Sequence, residues 1–292
     1  MPHTAPQPAS RPRRSVLYLP GANPRALAKA RDLPADVLIF DLEDAVAPAA
    51  KEAAREAVAA ALREGGYGRR ELVLRVNGAG TPWGRADLQL AAALPIHAVL
   101  LPKLETDHAA QDAALLLQAR GAEPDIALWG MVETPRGVMA APKIAAVPGM
   151  AVLVAGTNDL AKALRLRPSA DRCGLTTALS AIVLAARSRG LDAIDGVFND
   201  LNDPAGLERE CRQGAQLGFD GKSLIHPGQI AAANAAFGPS PAELEQARRT
   251  IAAFDAALAE DRGVTTLDGR LIEQLHVDEA RRLLALAAAI GD

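Results

Sequence analysis

The chain has 292 residues and a formal net charge of −3; 49% of its residues are hydrophobic and 3% aromatic, so it can bury a large, mainly aliphatic core. Scarce aromatics and the absence of a dense basic stripe exclude stacking on bases and a nucleic-acid partner, and no apolar run of about 20 residues exists to span a membrane. Residues 1–15 are rich in Pro and Arg without an apolar signal region, and Cys173 and Cys211 match neither a redox nor a zinc spacing, so the expectation is a cytoplasmic protein with free thiols.

Residues 1–14 read as a disordered arm. A first strand over 16–20 is followed by Gly21-Ala-Asn-Pro, which opens a helix over 25–31. The second strand starts at Val37 and ends in Asp41, Glu43 and Asp44, and an amphipathic helix over 51–63 follows. A third strand over 72–77 places Arg75 among apolar residues, and a loop over 78–84 leads to a helix ending near Leu94. The fourth strand, from Ala98, ends in Pro102-Lys103 and precedes a helix over 107–120. Strands five and six are the apolar runs 126–135 and 151–160, joined by a helix over 136–146. A helix over 171–189, a seventh strand over 193–198, a helix over 204–217 and an eighth strand over 221–227 complete the rhythm. Alternation of this kind makes parallel strands, and eight strand–helix units in about 220 residues match a closed (β/α)8 TIM barrel. The barrel is expected over 15–238, with additional C-terminal helices over 239–292: one over 241–262, a turn or short hairpin over 265–273 and one over 277–290. This extension is expected to pack on the barrel or on a neighbouring subunit.

Runs five and six each end in a carboxylate, Glu133 and Asp159. Neighbouring parallel strands lie about 4.8 Å apart and point the same way, so both carboxylates can face one small space at the end of the barrel where ligands gather. Such a pair suits a hard cation, because Mg²⁺ takes one or two protein carboxylates and fills its other positions with water and substrate oxygens. The plainer alternative is that Glu133 and Asp159 cap the helices that follow. Arg75 needs an acceptor if buried; Asp41, Glu43 or Asp44 supplies it, either as a structural ion pair or as the support of a substrate-binding guanidinium. Lys103 reads as an ion-pair partner of the same acids or as a Schiff-base lysine of a class I aldolase. Arg25 and Lys29, one helical turn apart, are a solvated face or a phosphate site. His226 is a packed core histidine or a ligand contact at the barrel mouth. Gly221-Lys-Ser lacks the first glycine of a phosphate loop, and neither a dinucleotide fingerprint nor a Gly-x-Ser-x-Gly elbow is present.

Seven segments occur together in order: Leu19-Pro-Gly-Ala-Asn, Asp41-Leu-Glu-Asp-Ala-Val, Leu74-Arg-Val-Asn, Leu101-Pro-Lys, Val132-Glu-Thr-Pro, Gly156-Thr-Asn-Asp-Leu, and Gly218-Phe-Asp-Gly-Lys-Ser-Leu-Ile-His-Pro-Gly-Gln-Ile. With them the chain resembles, from about Ser15 to Ala289, the citrate lyase beta-subunit-like proteins, the CoA-ester lyases of the HpcH/HpaI aldolase superfamily. The resemblance implies a Mg²⁺-dependent barrel enzyme, trimeric or hexameric, that cleaves or forms citryl-, malyl- or citramalyl-CoA from an acyl-CoA and a 2-oxo acid. It implies Glu133 and Asp159 as metal ligands, Arg75 as the substrate-binding arginine that stabilises an enolate, and Arg25 and Lys29 as contacts of the CoA phosphates. It also lowers the Schiff-base reading of Lys103. Backbone N–H groups near Thr157, Asn158 and Leu160, at a helix start, are expected to hold the substrate carboxylate. In the family the tail motif Gly-x-Met-Ile-Asp supplies an acid/base across a subunit interface; here Gly269-Arg-Leu-Ile-Glu puts Glu273 in that place, one methylene longer. That departure is compatible with retained lyase chemistry, with a smaller substrate, with thioester hydrolysis, or with a plain surface glutamate. Alternatives on the same scaffold are an acyl-CoA thioesterase, a class II 2-oxo-acid aldolase, and a non-catalytic subunit that binds a partner enzyme or an acyl carrier protein.

Overall fold

The structure, a computed structural model, describes residues 11–120 and 126–291. These residues divide into two compact units, Arg13–Phe237 and a C-terminal unit that begins at Gly238.

The first unit is a closed barrel of eight parallel strands in sequence order, a (β/α)8 TIM barrel. Its elements are β1 (Ser15–Pro20), α1 (Pro24–Lys29), β2 (Val37–Asp41), α2 (Lys51–Glu64), β3 (Glu71–Arg75), α3 (Gly84–Ala91), β4 (Ala98–Leu101) and α4 (Asp107–Ala119). There follow β5 (Ala127–Val132), α5 (Pro135–Ile144), β6 (Met150–Ala155), α6 (Thr157–Ala163), α7 (Thr176–Arg187), β7 (Asp192–Asp195), α8 (Pro204–Leu217), β8 (Gly221–Leu224) and α9 (Ile230–Phe237). The strands read as near-continuous apolar runs because both faces are buried. Val16, Ile39, Val73, Leu100, Trp129 and Val154 fill the barrel interior, while the alternate residues Leu17, Leu38, Leu74, Val99, Leu128 and Leu153 pack outward with the helices. Ring closure is direct: Val16 of β1 pairs with Val37 of β2 on one side and with Ser223 of β8 on the other.

Three expectations are corrected. The sixth strand ends at Ala155 rather than running to Leu160, because the residues after Gly156 turn into the short helix α6. The helix expected over 171–189 starts at Thr176, after a 3-10 turn over Cys173–Leu175. The helix α9, which follows the eighth strand, was not anticipated. The expected disordered arm falls in part outside the described residues, and at its C-terminal end it is overturned. Arg13 donates from Nε to Glu71 and from Nη1 to Asp192, both at 2.6 Å, and its guanidinium lies 5.3 Å from the centroid of the Trp129 ring. Arg14 pairs with Asp36 at 2.8 Å. Arg13 thus joins the starts of β3 and β7 at the N-terminal end of the barrel.

On the outer side of β7 and β8 lies a buried ionic network. Lys222, with no exposed surface, donates to Asp195 at 3.1 Å, to Glu210 of α8 at 2.6 Å and to the Gly196 carbonyl. Arg172 donates to the same Asp195 at 2.9 Å. Burial alone would raise the Asp195 pKa, but the charges of Lys222 and Arg172 outweigh it and hold the carboxyl below its ordinary value.

The C-terminal unit contains α10 (Pro241–Leu258), a hairpin of β9 (Thr265–Leu267) and β10 (Arg270–Ile272), and α11 (Gln274–Gly291). Ser240 and Glu243 close a reciprocal cap at the start of α10. Phe254, Ile272 and Val277 form its small core. Among the described residues no helix is long and apolar enough to cross a membrane.

Replacing Lys222 by Met leaves two buried acids sharing one arginine, and removing one member of a buried ion pair costs about 3–5 kcal/mol. Urea unfolding of Lys222→Met is expected to show a loss in that range; a loss below about 1 kcal/mol would contradict the network.

Candidate active site at the C-terminal end of the barrel

Asp41 ends β2 and Arg75 ends β3, and the two are register partners. Both face the barrel interior, so Arg75 meets Asp41 through two parallel hydrogen bonds, Nε to Oδ1 and Nη2 to Oδ2, each 2.6 Å. Asp41 also accepts from the backbone N–H of Glu43 at 2.8 Å and of Ala45 at 3.1 Å. Beneath the guanidinium lies the Tyr18 ring, 4.7 Å to its centroid. Burial opposes the Arg75 charge, but the hydrogen bonds to Asp41 and the nearby acids keep it protonated well above its ordinary range.

Two further acids follow Asp41 in the loop after β2. Glu43 Oε2 lies 3.0 Å from Arg75 Nη1, an ion pair without an aligned hydrogen bond. Asp44 Oδ2 is 3.6 Å from the same nitrogen and stays largely open to water. Lys103 Nζ meets Glu43 Oε1 at 2.8 Å and Asp44 at 3.8 Å. Burial pushes the Glu43 carboxyl up, against the pull of Arg75 and Lys103, and the bond to Glu43 raises the Lys103 ammonium. The loop is held from behind by Lys51, a buried lysine on α2 that donates to the carbonyls of Leu42 and Glu43 at 2.7 Å and to Asn77 at 2.6 Å. Asn77 in turn donates to Asp87 at 2.6 Å.

Neither acid of the expected metal pair is spent on a cap. The cap of α5 is Thr134, whose side chain accepts from the Gly137 N–H at 3.0 Å, and α6 has no side-chain cap. Glu133 directly follows β5 and is 3% exposed. Its Oε1 accepts from the Lys103 backbone N–H at 2.7 Å. Lys103 has φ 51, a left-handed conformation that costs a non-glycine residue about 1 kcal/mol or more. Asp159 stands not at a strand end, as the sequence suggested, but in the first turn of α6, with Oδ2 4.0 Å from Lys103 Nζ. A Cβ on Gly156 would lie 2.2 Å from the Glu133 Cβ, so this N-cap residue must be glycine for the carboxylate to keep its place. Burial first, then the charges of Glu43 and Asp159, push the Glu133 pKa up to about 7. A buried carboxylate in that condition is relieved by a cation. Among the described residues no cluster of three or more His, Cys, Asp or Glu suits a metal, so an ion here would rest on Glu133 and Asp159 and take its other ligands from water or substrate, as Mg²⁺ does.

Thr157 is buried against Gly196. The amides of Asn158 and Asn199 exchange hydrogen bonds at 2.7 and 3.3 Å. The Leu160 N–H is committed to the Gly156 carbonyl at 3.1 Å, which corrects its expected part in binding a carboxylate; only N–H groups earlier in the turn are free of helical bonds. Arg25 and Lys29 are exposed on α1. His226 is no core histidine: it is exposed, and its Nδ1 accepts from the Gly228 N–H at 3.0 Å. Glu273 belongs to the C-terminal unit, between β10 and α11, and its N–H donates to His276 Nδ1 at 3.1 Å. Tyr18, Lys51 and Asn77 were missed in the sequence. Tyr18 carried a signal, since it alternates with Val16 on the inward face of β1, and Asn77 stood within the quoted segment Leu74-Arg-Val-Asn.

The family description HpcH/HpaI aldolase/citrate lyase matches residues 14–227, and the chain belongs to this family. It is 48% identical over 280 residues to a protein of Cereibacter sphaeroides named (3S)-malyl-CoA thioesterase, covering 96% of each chain. It is 37% identical over 291 residues to citrate lyase subunit beta of Escherichia coli, covering 98% of this chain and 96% of that one. Among solved structures it is similar to protein CitE of Mycobacterium tuberculosis in complex with magnesium, acetoacetate and coenzyme A, with a TM-score of 0.76 and 32% identity over 95% of this chain and 98% of that one.

The unfolded Glu133 ionises at its ordinary 4.5 and the folded one at about 7. Between these values the folded state binds more protons, so metal-free protein loses stability as pH rises through the window. Thermal melts in EDTA are expected to show this fall in the wild type and its absence in Glu133→Gln, a difference of about 3 kcal/mol across the window. Parallel curves would refute it. Gly156→Ala is expected to lose about 2 kcal/mol or more in the same melts, because overpacking of this kind costs about 1–3 kcal/mol.

Proposed function

We propose that the chain is a Mg²⁺-dependent enzyme acting on a 3-hydroxyacyl-CoA thioester of the malyl class, and that it hydrolyses the thioester. The observation that carries this reading is the juxtaposition of a locked guanidinium, Arg75, with two carboxylates that serve no helix cap, Glu133 and Asp159, at the catalytic end of the barrel. The name of the 48% identical relatives supports both the malyl thioester and its hydrolysis. Magnesium is supported by the charge-loaded pocket at Glu133 and by the magnesium complex of the similar CitE structure.

Glu133 and Asp159 hold the cation, which acts as a Lewis acid and template for substrate oxygens. Arg75 meets the thioester carbonyl oxygen and stabilises the negative charge that develops there as water adds. A donor fixed beforehand pays no reorganisation cost at that moment. Asp41 positions Arg75 and is fully engaged in doing so. Glu43, whose pKa burial has raised, stands beside Arg75 and takes the proton of the attacking water. The C–S bond then breaks, giving free CoA and the hydroxy acid. Arg25 and Lys29 meet the CoA phosphates, and early N–H groups of α6 at Thr157 and Asn158 meet the substrate carboxylate. The reading includes a cytoplasmic location and the free CoA ester, rather than a carrier-protein thioester, as substrate.

A second reading, carbon–carbon cleavage to an acyl-CoA and a 2-oxo acid, is supported by the citrate lyase beta-subunit relatives. There Arg75 stabilises a thioester enolate, and Glu273, contributed by a neighbouring copy in a homotrimer or hexamer, exchanges the proton. Both readings use Arg75 alike and differ in whether water enters.

The test follows thiol and 2-oxo acid separately from citryl-, (R)- and (S)-malyl- and (S)-citramalyl-CoA, with magnesium or EDTA. Thiol without oxo acid is expected, abolished by EDTA and in Glu133→Ala. Both products in step would establish the second reading, and neither would overturn the proposal. Arg75→Lys is expected to lower kcat about 10²–10³-fold.

A further inference from the structure

The loops after β6 and β7 enclose a cavity of about 350 Å³ on the flank of α6, within the roughly 300–1,000 Å³ range of small-molecule sites. Asp159 turns towards Lys103, whereas Asn158 of the same helical turn lines this cavity. Leu166, Leu175 and Phe198 give it apolar walls, and Arg167 and Arg172 give it two guanidinium groups.

The two arginines differ in their commitments. Arg172 is buried, with its side chain 8% exposed, and its backbone is left-handed at φ 51. Its Nε donates to Gln213 and its Nη1 to Asp195, while Nη2 is buried with no hydrogen-bond partner among the described residues. A buried donor without an acceptor is costly, and having so little surface it lies out of reach of an occupant of the cavity, which leaves Arg167 as the accessible cation. Charge within the wall is otherwise matched, because Arg172 and Lys222 together face Asp195 and Glu210. Arg167 is the remainder: it is exposed on the cavity wall and has no ion pair among the described residues. The other acid on the wall, Asp200, is exposed and gives one oxygen to the Asn202 N–H at 2.9 Å.

We propose that this cavity is a second binding site, for a small monocarboxylate with a short aliphatic body, whose carboxylate is held by Arg167 while the body lies against Leu166, Leu175 and Phe198. An apolar recess with one cationic anchor suits such a ligand better than a bare phosphate, which would leave those walls unfilled. Glu133 and Asp159 are not among its lining residues, although Thr157 and Asn158 are, and the proposal does not rest on the proposed reaction.

Calorimetric titration in EDTA tests it, with butyrate, its uncharged isostere butyramide, and inorganic phosphate as probes. Butyrate is expected to bind the wild type and Glu133→Ala alike, and butyramide about tenfold or more weakly. Arg167→Glu, at an exposed position, is expected to weaken butyrate by about tenfold or more with an unchanged melting temperature. Ser169→Trp, which fills the cavity from its wall, is expected to abolish binding. Equal affinity for butyrate and butyramide, preference for phosphate, loss of binding in Glu133→Ala, indifference to both cavity variants, or no butyrate binding at millimolar concentration would each overturn the proposal.

Discussion

The paired hydrogen bonds between Arg75 and Asp41 are the constraint on which the catalytic end of this barrel depends. Both residues are buried, and desolvating such a pair offsets most of what their attraction returns. Its value lies in placement. Two bonds to one carboxylate and an aromatic ring beneath leave the guanidinium a single orientation. Its third nitrogen is then turned towards Glu43 and Asp44 at the barrel mouth. Without that fixed charge the acids of the loop after β2 would be offset by Lys103 alone.

Support for this arrangement is distributed over strands and loops rather than concentrated in one motif. Lys51 ties the acidic loop to Asn77, and Asn77 ties it to α3 through Asp87. Lys103 acts at both ends: its ammonium balances Glu43 while its left-handed backbone presents an N–H to Glu133. The tight approach of Gly156 then fixes Glu133 from the β6 side. The whole assembly leaves excess negative charge where β5 and α6 meet, and this is the physical case for a cation there.

A guanidinium set against a thioester carbonyl serves an enolate and a tetrahedral oxyanion equally well, since both place negative charge on the same oxygen. The family's shared barrel therefore accommodates relatives named as thioesterases and as lyase subunits. What separates the two chemistries is whether water enters, and a fixed guanidinium serves either.

The sequence by itself determined the barrel. Apolar runs that alternate with amphipathic helices at this spacing call for parallel strands buried on both faces, eight such units match a closed barrel, and the eight runs fall at the observed strands. It also exposed the residues that are expensive to bury: Arg75 within an apolar strand, with three acids ending the strand before it, and Glu133 after another. Tertiary structure alone decided how those charges are used. Strand register selected Asp41 from the three acids as the bidentate partner, Thr134 took the cap that Glu133 was a candidate for, and the turn into α6 carried Asp159 past the strand end. Lys103 reaches Glu133 through its backbone, a contact that no side-chain pattern can encode. The buried Arg172–Asp195–Lys222–Glu210 network joins residues far apart in the chain, and it was invisible beforehand because charge pairing across strands and helices is fixed by which faces meet, not by spacing along the sequence.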